Sequence, residues 1–452
     1  MSTQHRKMNP RTWLGGRLPL LGDRRARAHV RRLWLHYGVF WLGAIAVGLV
    51  AVAYAKLIDF GYQMFLHYAG QRPWLPLLVT PAVGAASVWI TRRLFDGSEG
   101  SGIPQVIAIL HGPPELADRL LTLRVLVGKI LVSFLAILGG FTIGREGPTI
   151  HVGASLMYSL RRLYPKRFRA IRPGVLERRL ALAGAAAGLS AAFNAPLAGI
   201  VFAIEELTRS FESRTSGVLI TAIIYAGVVS LALQGNYVYF GTIDIGSQLP
   251  RLLAPAVILI GVVSGLSGGF FCWLLLNTRR WMPAALVDLR TRQPVLFGAL
   301  CGFVIAVVGV LAHGHTFGSG YAEAQGMLDG KGNVSALYPA LKMISMVGSY
   351  LPGAPGGLFA PSLAIGAGLG NTLHMLLSPM QLTMLIALGM VGYLAAVTQS
   401  PITAFVIVIE MINGHALVIS LMATALIASR VSRMFAPPLY EALSTRYHTD
   451  RH

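Results

Sequence analysis

Long apolar stretches separated by short polar segments run through most of the chain. They recur near residues 34–57, 74–91, 121–143, 178–204, 216–234, 252–277, 294–312, 336–351, 358–376, 381–398 and 402–429. A helix needs about 20 predominantly apolar residues to cross about 30 Å of hydrocarbon. Several of these stretches are shorter than that or are split by glycine or proline. The pattern therefore predicts membrane helices, some of them broken, and it predicts no strands.

Composition excludes a soluble protein. Of the 452 residues, 54% are hydrophobic and 12% are charged, whereas soluble domains carry about 25% charged residues. The formal charge of +20 comes mostly from basic residues between the apolar stretches, which favours a membrane protein with basic cytoplasmic loops over a nucleic-acid binder. Cys272 and Cys301 both lie in apolar runs, so we predict neither a disulfide framework nor a metal site, and no other cofactor.

Two halves of the chain carry the same spaced set of residues. A lysine precedes a proline by 19 residues in each half, and a later proline precedes a glutamate by nine residues in each half. The offset is 213 residues for Lys129/Lys342, Pro148/Pro361 and Gly153/Gly366, and 205 residues for Pro196/Pro401 and Glu205/Glu410. Recurrence at a nearly constant offset indicates that the chain is a duplicated unit.

The distribution of charge predicts that the two copies have opposite orientations. The loop over residues 161–179 carries eight Lys or Arg, and its counterpart over residues 371–382 carries none. Because basic loops stay on the cytoplasmic side, matching loops should face opposite sides of the membrane. Nine basic residues in the first 33, and several near the C-terminus, predict that both termini are cytoplasmic. The predicted division is a basic segment 1–33, membrane repeats 34–235 and 236–445, and a tail 446–452.

Three Gly-rich turns stand where broken helices are expected to begin. Proline is favoured in the first helical turn, and glycine lets the backbone approach a ligand closely. Inverted repeats with interrupted helices are typical of transporters, whose half-helix N-termini present free N–H groups near the bilayer midplane. We therefore expect an all-α polytopic membrane fold with broken, tilted helices that meet at a central anion site. The turns are Gly100-Ser101-Gly102-Ile103-Pro104, Gly144-Arg145-Glu146-Gly147-Pro148 and Gly357-Leu358-Phe359-Ala360-Pro361.

In order and spacing, these turns resemble the signature motifs of the CLC family of chloride channels and proton-coupled chloride exchangers. The stretches 191–199 and 202–206, and Pro438-Leu439-Tyr440, also look like that family. The resemblance covers roughly residues 35–445. It implies a homodimer with a separate anion pathway in each subunit, in a bacterial inner membrane. Only 12 residues follow Tyr440, so we expect none of the family's cytoplasmic nucleotide-binding regulation.

The resemblance also assigns residues to chloride. Ser101 and Tyr440 would donate hydroxyl hydrogen bonds to a central ion, and the backbone N–H groups of Leu358 and Phe359 would complete that site. The turn around Arg145, Glu146 and Gly147 would supply N–H donors to an outer site. In the family, a proline in place of Ser101 accompanies nitrate preference, so the serine implies chloride.

Two glutamates would carry the proton. By its place in the motif, Glu146 matches the family's gating glutamate. A carboxylate there could occupy the outer anion site and leave when it is protonated. Glu206 stands where exchangers of the family carry a glutamate and passive channels an apolar residue; a solvated charge at a helix end is the alternative. Its neighbour Glu205 and the repeat mate Glu410 are assigned to helix packing or hydration.

These assignments predict an electrogenic proton/chloride antiporter, with a passive voltage- or pH-gated chloride channel of the same fold as the alternative. The expected partners are chloride, protons, the lipid bilayer and a second copy of the chain. An intramembrane enzyme that uses Ser101 with a histidine is disfavoured, because Glu99 stands where a nucleophile elbow has glycine.

Four side chains keep two interpretations at this stage. Tyr440 either faces the chloride or anchors the chain at the membrane interface. Lys129 and Lys342 either lie buried near the pathway or extend to the membrane surface. His151 follows the Glu146 turn and either influences the outer vestibule or packs between helices.

Overall fold

The computed structural model describes residues 37–164, 174–209, 216–235, 240–241, 253–331, 334–375, 380–412 and 414–449. These residues are nearly all helical, which confirms the predicted all-α fold. Within them, the β-type pairing is limited to an isolated bridge between Gly144 and Gly357. The predicted basic segment 1–33 and the last residues of the predicted tail lie outside the described residues.

The helices are, in chain order, α1 (Val39–Gln71), α2 (Pro76–Leu94), α3 (Ile103–His111), α4 (Glu115–Leu120), α5 (Leu123–Leu138), α6 (Glu146–Ser159), α7 (Val175–Phe193), α8 (Pro196–Phe202), α9 (Ser216–Gln234), α10 (Leu253–Leu276), α11 (Thr278–Trp281), α12 (Ala284–Arg292), α13 (Pro294–Leu311), α14 (Tyr321–Leu328), α15 (Tyr338–Tyr350), α16 (Phe359–His374), α17 (Leu382–Thr398), α18 (Pro401–Ile412), α19 (Val418–Ser432), α20 (Leu439–Ser444) and α21 (Arg446–Thr449).

Several helices are long and apolar enough to cross a membrane, and others are too short. By length and composition, α1, α9, α10 and α13 qualify among the described residues. Helices α17, α18 and α19 are apolar but have only 10–17 residues. Large apolar side chains such as Leu311 and Ile419 are 70% and 83% exposed, as expected for surfaces that face lipid. The mixture of full and partial spans agrees with the broken helices predicted from the sequence.

Two predicted stretches are divided and one is extended. The stretch 178–204 breaks at Asn194, whose left-handed φ of 54° ends α7 before α8 starts at Pro196. The stretch 402–429 contains the end of α18 and the start of α19. Helix α1 continues to Gln71, well past the predicted end near residue 57. Charged residues such as Asp59 lowered the hydropathy there, but this side chain pairs with Arg145 and does not end the helix.

Glycines let two pairs of helices come into backbone contact. Gly153 of α6 faces the carbonyl of Gly184 on α7, and Gly366 of α16 faces the carbonyl of Gly389 on α17. A Cβ at either Gly153 or Gly366 would collide with that facing carbonyl. The Gly-rich run near residue 366 is therefore a packing surface.

Two glutamates cap helices in the opposite half of the chain. Glu205 accepts hydrogen bonds from the N–H groups of Ile402 (3.0 Å) and Thr403 (2.6 Å) at the start of α18. Glu410 accepts one from the N–H of Ala198 (2.7 Å) at the start of α8. Each carboxylate satisfies N–H groups that have no partner within their own helix. Both residues therefore serve helix packing, one of the two roles expected from the sequence.

Candidate anion and proton site

Backbone hydrogen bonds join the three Gly-rich turns. Gly144 and Gly357 each donate to the other's carbonyl over 2.8 Å, and Gly356 donates to the carbonyl of Gly100 over 3.1 Å. These contacts join the turn before α16 to the turns before α3 and α6, which lie more than 200 residues earlier in the sequence. The turns predicted from the sequence are therefore one structural unit.

Each turn starts a helix at the predicted place. The first helical residues are Ile103, Glu146 and Phe359, and a proline of each motif falls in the first turn, where its missing N–H costs no intrahelical bond. Gly102 has φ of 92°, a conformation that side chains rarely adopt. The first N–H groups of each helix have no partner within it. Side chains of the turns accept from some of them: the N–H of Ile103 donates to the Oγ of Ser101, and the N–H groups of Glu146 and Ala360 face the carboxylate of Glu146.

The turns lie so close to one another that some positions of these motifs require a small residue. Gly147 lies against the backbone of Ser101 and Gly357, so that a Cβ there would meet both. Ala360 and Pro361 are buried at the start of α16, as are Pro104 and Pro148 at theirs.

Two buried lysines bind the backbone of chain segments that lead into helices. Both Lys129 and Lys342 are completely buried, so the interpretation that they extend to the membrane surface is wrong. The Nζ of Lys129 donates to the carbonyls of Glu99 and Gly100, each over 3.0 Å. The Nζ of Lys342 donates to the three carbonyls of residues 316–318 over 3.0–3.1 Å. Each lysine therefore binds the carbonyls of a chain segment that leads into a helix.

The segment held by Lys342 is a fourth Gly-rich turn, which the sequence reasoning missed. It reads Gly318-Ser319-Gly320 and precedes Tyr321, the first residue of α14. Its glycines have φ of 64° and 87°, against 61° and 92° for Gly100 and Gly102. The signal is present in the sequence as a second Gly-Ser-Gly, but it lacks the following proline that marks the other three turns.

Ser101 and Tyr440 offer hydroxyl groups inside the protein. Both side chains are completely buried, which excludes the interpretation of Tyr440 as an interfacial anchor. The Oγ of Ser101 accepts from the N–H of Ile103 over 3.3 Å, and its own proton remains available. The hydroxyl of Tyr440 has no hydrogen-bond partner among the described residues. A buried hydroxyl normally has a partner, so this donor fits an anion.

An aromatic cluster surrounds the start of α16. The ring of Phe359 meets that of Tyr440 edge-on, with 6.1 Å between centroids. Phe193 and Phe202 approach Phe359 at 6.0 Å and 6.2 Å. These rings exclude water beside the N–H groups of Leu358 and Phe359. Electrostatic attraction to those groups is stronger in such a dry place than in water.

Glu146 places its carboxylate at the helix starts. The side chain is completely buried, and Oε1 accepts from the hydroxyl of Tyr321 over 2.7 Å. The backbone N–H groups of Glu146 itself and of Ala360 face the carboxylate. The carboxylate thus lies where donors suited to an anion converge. Tyr321 is 175 residues away in sequence, and no spacing or motif links the two residues.

The neighbouring Arg145 does not neutralise Glu146 through a surface salt bridge. Its guanidinium donates to both carboxylate oxygens of Asp59 over 2.8 Å and 2.9 Å, and to the carbonyl of Ala55 over 3.2 Å. The guanidinium of Arg145 is therefore engaged by Asp59 and Ala55, while the backbone of Arg145 lies at the start of α6. Asp59 is a residue that sequence reasoning did not single out.

Glu206 is enclosed rather than solvated. Its side chain is 2% exposed, and one carboxylate oxygen accepts a hydrogen bond from the hydroxyl of Ser400. The nearby Arg209 pairs with Glu441 over 2.7 Å. The alternative of an ordinary solvated charge at a helix end is therefore wrong.

The remaining candidates have packing roles. His151 is buried, its Nε2 bonds the carbonyl of Leu120 over 2.9 Å, and its ring lies against Gly102. Cys272 and Cys301 are free and buried. The part of the chain that the structure describes contains no group of three or more His, Cys, Asp or Glu placed to hold a metal.

Comparison with known proteins gives consistent matches. The model of the family described as "Voltage gated chloride channel" matches residues 83–433. The H(+)/Cl(-) exchange transporter ClcA of Yersinia pestis bv. Antiqua (strain Angola) is 30% identical over 424 residues, which are 89% of this chain and 85% of that protein. The transporter of the same name from Salmonella paratyphi A is 28% identical over 450 residues, 93% and 92% of the two chains.

Solved structures share the fold. A slow cyanobacterial Cl−/H+ antiporter superposes with a TM-score of 0.76 at 23% identity, over 92% of this chain and 99% of that one. A CLC-type fluoride/proton antiporter gives 0.74 at 20% identity, over 91% and 98%. The family model covers most of this chain, and the fold and motifs agree with it. The chain therefore belongs to the voltage-gated chloride channel (CLC) family, as an integral membrane protein with several spans.

Proposed function

We propose that this chain is an electrogenic antiporter that exchanges chloride for protons. The observation that carries the proposal is the buried Glu146 carboxylate at the point where three helix starts are joined by backbone hydrogen bonds. Relatives named as H(+)/Cl(-) exchange transporters support it.

Chloride binding rests on backbone and hydroxyl donors. A helix N-terminus acts as about half a positive charge, and several such ends stabilise a desolvated monovalent anion. Ser101 and Tyr440 would add hydroxyl donors, and Leu358 and Phe359 would add N–H groups. The nearby charges of Lys129 and Arg145 are engaged by backbone carbonyls and by Asp59. Because these two charges are already engaged, they do not hold the ion, and chloride is able to leave again, as conduction requires.

Proton coupling follows from competition for one place. A charged Glu146 is attracted to the helix starts in the same way as chloride, so the two exclude each other from the outer site. A proton from the outer side neutralises the carboxylate and removes that attraction. The side chain then leaves, and chloride takes its place. Each cycle thus ties movement of the anion to a proton on Glu146.

Glu206 would bring protons from the cytoplasmic side. The carboxylate is buried beside Ser400. Arg209 follows three residues later in the chain and pairs with Glu441, and both partners are more than 40% exposed, so this region is connected to water. A passive channel has no need for such an acid. Glu206 therefore favours antiport over the passive chloride channel named as the alternative.

We also propose the setting of the protein. Basic residues near both ends favour cytoplasmic termini, and the named relatives are bacterial, which favours an inner membrane. The family resemblance favours a homodimer in which each subunit has its own pathway.

Paired ion fluxes test this function. In liposomes that contain the purified chain, a chloride gradient should drive protons uphill in the opposite direction, and valinomycin with potassium should set the voltage. Chloride flux that moves no protons at any voltage would reject antiport and leave the passive channel.

A further inference from the structure

A second charged feature lies away from Glu146, at the junction between α10 and α12. It is a cavity of about 670 Å³, large enough for a small polar ligand. Five arginines line it: Arg92, Arg279, Arg280, Arg290 and Arg446. Asn277, Thr278 and Thr291 add neutral polar groups, and no described lining residue is acidic.

Most of these arginines have no carboxylate partner. Among the described residues, no Asp or Glu lies within salt-bridge distance of Arg92, Arg279, Arg280 or Arg290. Arg290 donates only a long bond of 3.4 Å to the hydroxyl of Thr278. Arg292, on the same helix as Arg290 but outside the cavity, pairs with Asp288 over 2.6 Å. A general excess of basic residues on one face explains positive charge there but not its convergence on one concave site.

Mutual repulsion makes this arrangement costly without an anion. Burial, together with the positive charges of Arg446, Arg92 and Arg279, lowers the pKa of Arg290. Because guanidinium stays protonated at neutral pH, the cost persists as destabilisation rather than as loss of a proton. A multivalent anion between these side chains would offset it.

We propose that this cavity binds a phosphate-bearing anion. Guanidinium groups match phosphate oxygens with two parallel hydrogen bonds each, and threonine and asparagine side chains supply neutral contacts. The phosphate has two possible sources, a soluble polyphosphate or the headgroup of an anionic lipid. Chloride alone does not account for five arginines, because a monovalent anion offsets a single positive charge.

The position of the cavity gives the ligand a route to influence transport. A neighbouring cavity of about 610 Å³ shares Arg92, Arg290 and Arg446 with it, is also lined by Asp96 and Glu99, and reaches Gly100 of the first Gly-rich turn. A phosphate group bound by the shared arginines places negative charge next to the cavity that reaches Gly100, and this charge slows chloride. This regulatory consequence rests on the proposed transport function, whereas the binding site itself does not.

Thermal unfolding of the purified full chain in detergent tests the site. Pyrophosphate, compared with sodium chloride at equal ionic strength, should raise the unfolding temperature. The double variant Arg279→Gln/Arg280→Gln should bind pyrophosphate about tenfold more weakly or worse, since charge-assisted hydrogen bonds are lost. Arg292→Gln is the matched control, because its arginine is paired outside the cavity, and it should respond as the unaltered protein does.

A lipid arm identifies the source of the phosphate. Phosphatidylglycerol is added to the micelles in place of phosphatidylcholine, and the same variants are compared. Stabilisation by the lipid but not by pyrophosphate assigns the site to a headgroup, and the reverse assigns it to a soluble ligand. The proposal is overturned if neither phosphate source stabilises the unaltered protein more than the double variant.

Chloride efflux from liposomes is measured separately, with each inhibited rate divided by the same variant's uninhibited rate. Pyrophosphate or the lipid should slow efflux through the unaltered protein and through Arg292→Gln. Binding without slower efflux would overturn the regulatory role and keep the site.

Discussion

At the scale of single residues, Glu146 and Tyr321 form the contact that sets how strongly the carboxylate competes with chloride. The hydroxyl of Tyr321 donates to Oε1 over 2.7 Å, and the ring of Tyr321 packs against Phe240 with 5.6 Å between centroids. The hydrogen bond stabilises the carboxylate in its charged form at the helix starts. Its loss should favour the chloride.

Tyr321→Phe should therefore lower the chloride concentration that gives half-maximal flux by about tenfold, because a hydrogen bond to a charged group contributes about 1.5–3 kcal/mol and about 1.4 kcal/mol is tenfold. The ring, and with it the contact to Phe240, is kept. Chloride efflux against chloride concentration in liposomes measures the change. Tyr338→Phe is the control, since that buried hydroxyl has no hydrogen-bond partner among the described residues. An equal change in both variants, or none in Tyr321→Phe, would contradict the role of the contact.

The adjacent glutamates Glu205 and Glu206 should behave in opposite ways. Glu205→Gln removes charge from the cap of α18 and should lower the free energy of unfolding by about 1 kcal/mol, with proton coupling kept. Glu206→Gln should leave chloride flux but abolish proton movement. Denaturant unfolding in detergent and paired flux measurements separate the two effects. Full proton coupling in Glu206→Gln would remove it from the proton route.

At the scale of elements, two helix starts depend on buried lysines that hold the preceding chain segments. Lys129 fixes the carbonyls before α3, and Lys342 fixes those before α14. Because the carbonyls of such a turn point toward the lysine, the N–H groups of the same turn point away from it. The lysines thus orient the backbone that leads into α3 and α14.

The glycines at the crossings of α6 with α7 and of α16 with α17 should be equally sensitive. Gly153→Ala and Gly366→Ala each place a methyl group against a facing carbonyl, and each should destabilise the protein by about 1–3 kcal/mol, the range of overpacked cores. Denaturant unfolding of the purified variants measures this. Gly217→Ala is the control, because nothing lies within 4 Å of its added Cβ. A stability loss no larger than that of Gly217→Ala would contradict the close helix contact.

Elements that follow local rules were predictable from the sequence. Turns with glycine followed by proline gave the starts of α3, α6 and α16, because both residues act on their own backbone. Contacts between distant residues were not predictable: Asp59 with Arg145, Tyr321 with Glu146, and Ser400 with Glu206. They depend on how helices cross, which one sequence does not reveal. The fourth turn was missed for a different reason: it has the glycines of the other turns but no proline after them.

At the scale of the whole molecule, matching contacts recur in the two halves. Glu205 and Glu410 each cap a helix in the other half, and Asn194 and Gln399 end their helices with φ of 54° and 57°. These pairs support the duplication that the residue spacing predicts. The opposite orientation of the two halves and the division at residues 235 and 236 stay predictions.

Cysteine labelling tests that orientation. Arg119 follows Asp118, which pairs with Arg161 just after α6. We expect this face of the protein to be cytoplasmic. Lys331 lies in the segment before Ala336, which contacts the end of α16 at Thr372, and we expect this segment outside. Lys331→Cys should react with a membrane-impermeant maleimide on intact cells, and Arg119→Cys only after the membrane is opened. The native cysteines are buried and give little background. Labelling of both positions from the same side would contradict an inverted repeat.

Bromide-soaked crystals of the unaltered protein and of Glu146→Gln measure the central claim most directly, since bromide replaces chloride and scatters anomalously. We predict an anomalous peak beside Ser101, Tyr440 and the start of α16 in both proteins, and a second peak at the start of α6 only in Glu146→Gln, where no carboxylate competes. No peak at these helix starts, or the same peaks in both proteins, would contradict the account.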